Sequence, residues 1–535
     1  MGLRMTMIKF LIFIFFSFSF PAAQVVHKMT FDRFTHYSID DWVTYAPATH
    51  ITSIDVGIEY IYFGTRDGGI LRYNVYEKEW DYPWTTSSGL SSNHILDVVY
   101  NYTDSIEENW RSNVIYALTD KGIDEFDPVA NYWRRSHIKK MPYHRQPDKA
   151  EMEEYRHRKD YRFPAFYRPR NSELPDFFTD RKILFRPPNE IIDEHNRVFR
   201  LGKDRVVDEW KTLWLATNGL GVANADLFDL RLTTHQKSIG NIAPRDLLYL
   251  ADEDVMWVGG VEKGIRPGGI AVWNLKEDIW QYKEMRFIHG LYRSNIFCMT
   301  ANKKYIFLGS DYGLVKYWRK KKKWKTFTTG DQLEADKIND LLFYKNTLFI
   351  ATEQGLNYMT SGYRSVKSVK DQKLRNIPIY RMAVKDSTIL LATKIGLFKY
   401  LPGADKIEYM NIGSALMDMY ITAVNTHQSM IWLAGKYGIM YYEPKREQWI
   451  SFTNITQYVH GKIYQIKFTS NHVWFATDSG LLKYDRKRNY WYLYTKEDGL
   501  ASNIVYNIDV DGPDLWLSTE NGVTVFRWDL RDIIE

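Results

Sequence analysis

Cys298 is the only cysteine in 535 residues, so an intrachain disulfide is excluded and packing must hold the chain together. It lies in Ile296-Phe297-Cys298-Met299, which reads as a buried strand. No motif sets a His or Asp beside it, so a packed thiol is expected rather than a nucleophile. The strong catalytic and metal signatures are also missing: no HExxH, CxxC, P-loop or GxSxG occurs, and the 13 histidines are scattered without ligand spacing. Nothing in the sequence asks for a cofactor or a metal. A dominant charge is lacking too. The 71 Lys and Arg nearly balance the 65 Asp and Glu, and the net +6 does not point to nucleic acid.

Long apolar runs are scarce. The exception is Phe10 to Phe20, preceded by Arg4 and Lys9 and followed by Pro21-Ala22-Ala23. That order of charge, apolar core and small residues reads as a signal peptide, cut after Ala23, with residues 24–535 exported to a periplasm or beyond. An uncleaved anchor needs about 20 apolar residues, roughly twice what is present. No later segment is apolar enough to span a membrane.

What is abundant is aromatic surface: 16% of residues, including 18 Trp and 38 Tyr. It is organised in a repeat. A short apolar strand ends in a small residue and Thr, a turn with Gly follows, and a second strand ends in Tyr or Phe. Instances are Phe349-Ile350-Ala351-Thr352 with Gly355, Leu390-Leu391-Ala392-Thr393 with Gly396, and Trp474-Phe475-Ala476-Thr477 with Gly480. Ten units are found, and from Ser310 to Thr519 they recur every 41 or 42 residues. That spacing, with strand-sized apolar runs, predicts an all-β protein: a β-propeller of about ten four-stranded blades. The small residue lets the next blade approach, and the Gly supplies the hairpin's backbone angle. A later Trp, such as Trp324, Trp449 or Trp491, marks the outer strand; units 3, 6 and 7 lack it. Trp42-Val43-Thr44-Tyr45 is an outer strand with no blade before it, and the last unit ends near Phe526 without one. The N-terminal segment is therefore expected to complete the last blade. One ring of ten is the simplest count, with five plus five as the alternative.

The lead-ins Gly499-Leu500-Ala501-Ser502-Asn503-Ile504, Gly89-Leu90-Ser91-Ser92-Asn93-His94-Ile95 and Gly290-Leu291-Tyr292-Arg293-Ser294-Asn295-Ile296 precede such strands. With Leu515-Trp516-Leu517-Ser518-Thr519 they resemble the two-component regulator propeller repeat. The resemblance covers nearly the whole mature chain. It implies the fold, but little about function. Members of that family often serve as periplasmic sensors of hybrid histidine kinases. This chain shows no kinase or DNA-binding segment and so resembles the stand-alone exported members.

The period stretches in several places, most of all in one. Thr119 and Thr217 are 98 residues apart, placing an insertion at 134–205 between blades 2 and 3. Residues 134–190 hold 15 Lys and Arg against 9 Asp and Glu. Rings and cations interleave at Tyr155, Arg156, Arg158, Tyr161, Arg162, Tyr167 and Arg168, a set suited to stacking on sugars and pairing with carboxylates. These are the candidate binding residues; the competing reading is a solvated basic flap. A long hairpin at Val261–Gly268 is expected on the same face, and the Tyr102–Arg111 extension on the other. Asp509, Asp511 and Asp514 read as a polar turn rather than a calcium loop, and Arg319 to Lys323 as a solvated hairpin. Asn101-Tyr102-Thr103 and Asn454-Ile455-Thr456 are glycosylation sequons.

The expected role is an exported, non-catalytic binding or scaffold protein whose loop face takes an envelope or extracellular protein or an acidic glycan. Alternatives are a polysaccharide lyase or hydrolase, with a site assembled around the channel from several blades, and a sensor partner of a separate histidine kinase.

Overall fold

A computed structural model describes residues 25–26, 37–102 and 113–529, apart from 159, 181, 241, 263–267, 286–287, 289–290, 292–293, 414–419, 437, 453–454 and 456. The leader at 1–23, most of the Tyr102–Arg111 extension and of the Val261–Gly268 hairpin, and parts of both sequons lie outside these residues.

The described chain forms ten mainly antiparallel sheets in the sequence order of the repeat, so the protein is all-β and built of propeller blades. Blades 1 to 10 run over 51–84, 95–135, 198–235, 243–284, 296–327, 338–368, 379–410, 421–452, 463–494 and 505–527. The missing fourth strand of blade 10 is supplied by Trp42–Tyr45, antiparallel to Gly522–Arg527. Trp42 stacks on Phe526 at 3.7 Å and is itself buried.

The repeated Thr acts as a clasp. In eight blades the Thr or Ser hydroxyl closing the second strand donates to the carbonyl of the turn glycine, at 2.6 to 3.0 Å. Blades 4 and 8 carry Gly260 and Gly435 there instead. The turn glycine is required at Gly313 (φ 109°) and Gly480 (φ 139°), where a Cβ would stand 2.2 Å from the carbonyl oxygens of Phe327 and Tyr494. The small residue before the clasp faces the next blade. A Cβ on Gly309 would meet Cys298 Sγ at 2.4 Å and Ile338 of blade 6 at 2.6 Å.

The ten blades do not make one ring. The first strand of each of blades 4 to 10 packs beside the first strand of the next, and Val505–Asp511 of blade 10 returns to Ala243–Leu250 of blade 4. Across that seam Ser518 Oγ donates to the Arg245 carbonyl at 3.1 Å, and Asn507 Nδ2 donates to Asp246. The ring closed by the N-terminal strand therefore holds seven blades. Blades 1 to 3 form an arc in the order 2–1–3, with the inner strand of blade 1 touching those of blades 2 and 3. Trp214 of blade 3 packs on Phe63 (5.4 Å) and Tyr73 (5.0 Å) of blade 1. The period is blind to this division, because each blade offers two apolar faces whichever neighbour it meets.

The insertion completes the arc. Phe163, Phe177, Phe185 and Ile191 pack on Leu213, Leu215, Ala223 and Leu232 of blade 3, covering a face that no blade covers among the described residues. Its strands Ile183–Arg186 and Glu190–Asp193 extend blade 3 at the inner edge, and Phe178–Thr179 pairs at the outer edge. Both sheet edges are thus protected.

Candidate functional site

Every inner strand of the ring breaks register one or two residues from its start. Such a bulge leaves one residue out of the ladder and re-aims its side chain. The residues skipped are Arg245, Phe297, Asn339, Tyr380, Thr422, Tyr464 and Tyr506, one from each blade. Each inner strand begins beside the end of its second strand, as in Ile463 opposite Thr477, so these residues sit at the channel mouth on the second-to-third-strand hairpin face.

Cations and phenols dominate this mouth. The Arg245 guanidinium lies over Tyr506 at 3.7 Å and reaches Tyr464 at 5.4 Å. Lys462 Nζ lies 5.3 Å from the Tyr464 ring centroid and 5.4 Å from that of Tyr380. Tyr464 meets Tyr506 edge-on at 5.1 Å, and Tyr380 meets Tyr420 at 5.7 Å. Among the described residues neither Arg245 nor Lys462 forms an ion pair with a carboxylate. Burial, with repulsion from Arg245, Arg381 and Lys337, lowers Lys462 to about 8 against an opposing pull from Glu353. Lys337 itself pairs with Glu353 at 2.7 Å.

Below the mouth, the next inner-strand position puts Asp246, Cys298, Asp340, Arg381, Ala423, Gln465 and Asn507 around a cavity of about 330 Å³. This layer is largely satisfied by the protein. Arg381 pairs with Asp340 at 3.1 Å and donates to the Tyr464 carbonyl at 3.0 Å. Asp340, Asp246 and Gln465 each accept from a backbone N–H of the following blade, at Met382, Met299 and Ile508. Burial raises Asp246 to about 7. Cys298 is buried, and burial lifts its thiol well above the usual value, so it is a packing thiol. Among the described residues no cluster of three or more His, Cys, Asp or Glu is arranged to hold a metal. Asp509 faces Lys467 at 3.7 Å and Asp514 faces Arg527 at 3.8 Å.

The structure does not bring the sequence-selected residues together as one surface. Tyr155 and Tyr167 pack with Phe163 at 5.5 and 5.6 Å on the covered face of blade 3, and Tyr167 donates to Glu173 at 2.9 Å. Arg158 pairs with Glu154 on the helix Lys149–His157, and Arg162 with Asp160 at 3.3 Å. Arg156, Tyr161 and Arg162 are exposed. Arg168 turns inward, bonding Asp55 at 3.0 Å, the Ile54 carbonyl at 2.9 Å, and Asp204 at 2.5 Å.

His144, also from the insertion, lies at the centre of the arc. Its Nδ1 is 3.0 Å from Asp55 and its Nε2 3.3 Å from Asp97, carboxylates of blades 1 and 2. Burial pulls His144 down, but the hydrogen bonds to Asp55 and Asp97 together outweigh it and hold the imidazole at about 9.

The repeat is most regular in its second strand, which leaves the mouth residues outside its motif. Their signal was present one column earlier: Phe297, Asn339, Tyr380, Thr422, Tyr464 and Tyr506 follow the branched residue that opens each inner strand.

No family model matches the sequence, and no curated protein matches it. Solved structures with similar architecture include the extracellular domain assigned to the hybrid two-component system BT4673 of B. thetaiotaomicron, with 12% identity over 90% of this chain and 70% of that one, TM-score 0.43. PorZ, an essential surface component of the type-IX secretion system of Porphyromonas gingivalis, shows 12% identity over 89% of this chain and 74% of that one, TM-score 0.45. The corresponding domain of BT3049, from the same B. thetaiotaomicron, shows 12% identity over 94% and 78%, TM-score 0.34. The likeness is one of propeller architecture.

Proposed function

We propose that this chain is an exported, non-catalytic binding protein that takes an acidic partner at the mouth of its seven-bladed channel. The observation that carries this reading is the pair Arg245 and Lys462, half-buried among tyrosines and without a carboxylate to neutralise either among the described residues. A partly desolvated cation without a counter-charge is costly, and an arriving carboxylate or sulfate relieves that cost. The flanking rings of Tyr380, Tyr464 and Tyr506 offer stacking surface to an acidic glycan or to an envelope protein's acidic loop. Export rests on the leader-like N-terminus.

Binding to an array of acidic glycans and acidic peptides, compared between the native protein and Arg245→Ser/Lys462→Ala, tests it. The double variant is expected to bind about tenfold or more weakly, with a shallower salt dependence. Equal binding by both proteins removes the mouth as the site.

A second reading, a polysaccharide-acting enzyme, is favoured by one observation: Lys462, lowered to about 8, is a base available near neutral pH beside Tyr380 and Tyr464. An acidic polysaccharide that binds but keeps its chain length after prolonged incubation argues against it.

A further inference from the structure

Lys462 carries a chemistry that charge pairing alone does not use. It stands one residue before the inner strand of blade 9, with its backbone N–H donating to Asp478 at 2.8 Å. From there its side chain crosses blade 8 to within 5.4 Å of the Tyr380 ring of blade 7, with the Tyr464 ring of its own blade at 5.3 Å. Blade 8 leaves the way open. Its skipped residue is the short Thr422, whose hydroxyl is turned to the Ile463 carbonyl at 2.6 Å. Arg245 approaches the same Tyr464 ring to 5.4 Å, so a guanidinium and an ammonium flank one phenol. The carboxylate that pulls on Lys462, Glu353, is already taken by Lys337 at 2.7 Å.

An amine set among rings, beside a fixed cation and away from a free carboxylate, favours its neutral form. Lys462 accordingly stands at about 8 rather than 10.5. At pH 7 about a tenth of it then carries a nucleophilic lone pair. Lys483 is lowered as far, but it is only 7% exposed inside four aromatic rings and cannot meet a ligand. Lys462 is only partly buried and lines the mouth.

A nucleophilic amine near a guanidinium matches a ligand that carries both a carbonyl carbon and a carboxylate. We propose that Lys462 captures an oxo acid, a small acid or an acidic sugar with a ketone or aldehyde carbon, as a reversible imine while Arg245 holds its carboxylate. This rests on the reading of the mouth as the acidic-partner site. The Nζ lone pair attacks the carbonyl carbon, and both hydrogens of the neutral amine leave with the carbonyl oxygen as water. A C=N bond replaces the C=O bond, and nothing is oxidised or reduced. Burial raises Tyr464, and burial with the neighbouring Tyr420 raises Tyr380 to about 12. Both phenols therefore stay neutral at pH 7 and add no negative charge that would hold the proton on Lys462.

The test incubates the full chain at pH 7 with cyanoborohydride and two matched pairs of probes, 4-oxopentanoate against pentan-2-one and D-glucuronate against D-glucose. Reduced adducts are mapped on every lysine by mass spectrometry. Within a pair the carbonyl is shared and only the acid carries a carboxylate. At least one acid is expected to label Lys462 about tenfold faster than its neutral counterpart, and faster than any other lysine. The pair that responds tells a small acid from a sugar end. Lys462→Arg, which keeps the charge and removes the nucleophile, is expected to lose that label and no other. Arg245→Ser is expected to erase the preference for the acid. The proposal is overturned if neither acid labels Lys462 above the other lysines, if the neutral probes label it as fast, or if Arg245→Ser keeps the preference. Acidic glycans or peptides that bind at the mouth while no oxo acid labels Lys462 would sink the imine and leave the mouth as a binding site; loss of both would remove the mouth as well.

Discussion

In the seven-bladed ring every inner strand has an inner strand on each side; in the three-bladed arc only that of blade 1 does. The two arrays are built from the same unit, with the same Thr clasp and, in blades 1 and 2 as in the ring, the same one-residue bulge, yet their centres differ. The ring satisfies its blade faces by closing on itself, and its mouth is left with cations that no carboxylate neutralises among the described residues. The arc cannot close. Its end face on blade 3 is covered by the insertion, and its central carboxylates Asp55, Asp97 and Asp204 are neutralised by the insertion's His144 and Arg168. The difference teaches that an interruption of a repeat can be the repair of an open array rather than its active surface.

The largest expected effect comes from breaking each solution separately. Phe163 is fully buried in the insertion's contact with blade 3. Phe163→Ala is expected to cost about 3–5 kcal/mol and to free the amides of blade 3 in hydrogen exchange, leaving blades 4 to 10 protected. Trp42→Ala, at the strand that completes blade 10, is expected to cost a similar ~3–5 kcal/mol but to loosen blades 4, 9 and 10 first. Reciprocal patterns sustain the two-array description; a single uniform loss in both variants would show one cooperative unit.

A smaller effect separates the arrays by pH. His144 has an ordinary value of 6.5 and is held at about 9 in the arc. Its contribution to stability is complete below pH 6.5 and is lost as pH rises through 9. Asp246 has an ordinary value of 3.8 and is raised to about 7 in the ring channel. The folded ring favours its protonated form, so that contribution is complete below pH 3.8 and gone above 7. Blade-resolved proteolysis across this range is expected to loosen the ring between mildly acidic and neutral pH and the arc between neutral and alkaline pH. His144→Gln should flatten the second response alone.

The smallest expected effect tests what the arrays share. Thr393→Val removes the hydroxyl that bonds the Gly396 carbonyl at 2.7 Å and should cost about 1 kcal/mol in thermal unfolding. The corresponding Gly435→Ala in blade 8, where no hydroxyl exists, probes packing instead, because a Cβ there would stand 2.5 Å from the Tyr420 carbonyl.

Much of the fold was legible. The second-strand motif located all ten blades, and Trp42 to Tyr45 was recognisable as a strand without a blade, because strand order within a blade is local and each motif residue has a local task. The candidate site was barely legible. Interleaved Tyr and Arg drew attention to 155–168, yet Tyr155 and Tyr167 serve a hydrophobic face and Arg168 a buried carboxylate. The same residue types that would grip a ligand also cap an unfinished sheet, and composition does not distinguish these uses.

The sequence by itself determined the all-β repeat, the number of blades and the completion of the last by the first strand. These follow from periodicity and from contacts made within a blade or between sequence neighbours. Only the tertiary structure decided that seven blades close while three do not, that Arg245 and Lys462 converge at one mouth from blades 4 and 9, and that Trp80, Trp273 and Trp516 share a crevice. Those outcomes depend on which apolar face meets which, and on side chains brought together from 193 or more residues apart, a distance over which the period carries no information.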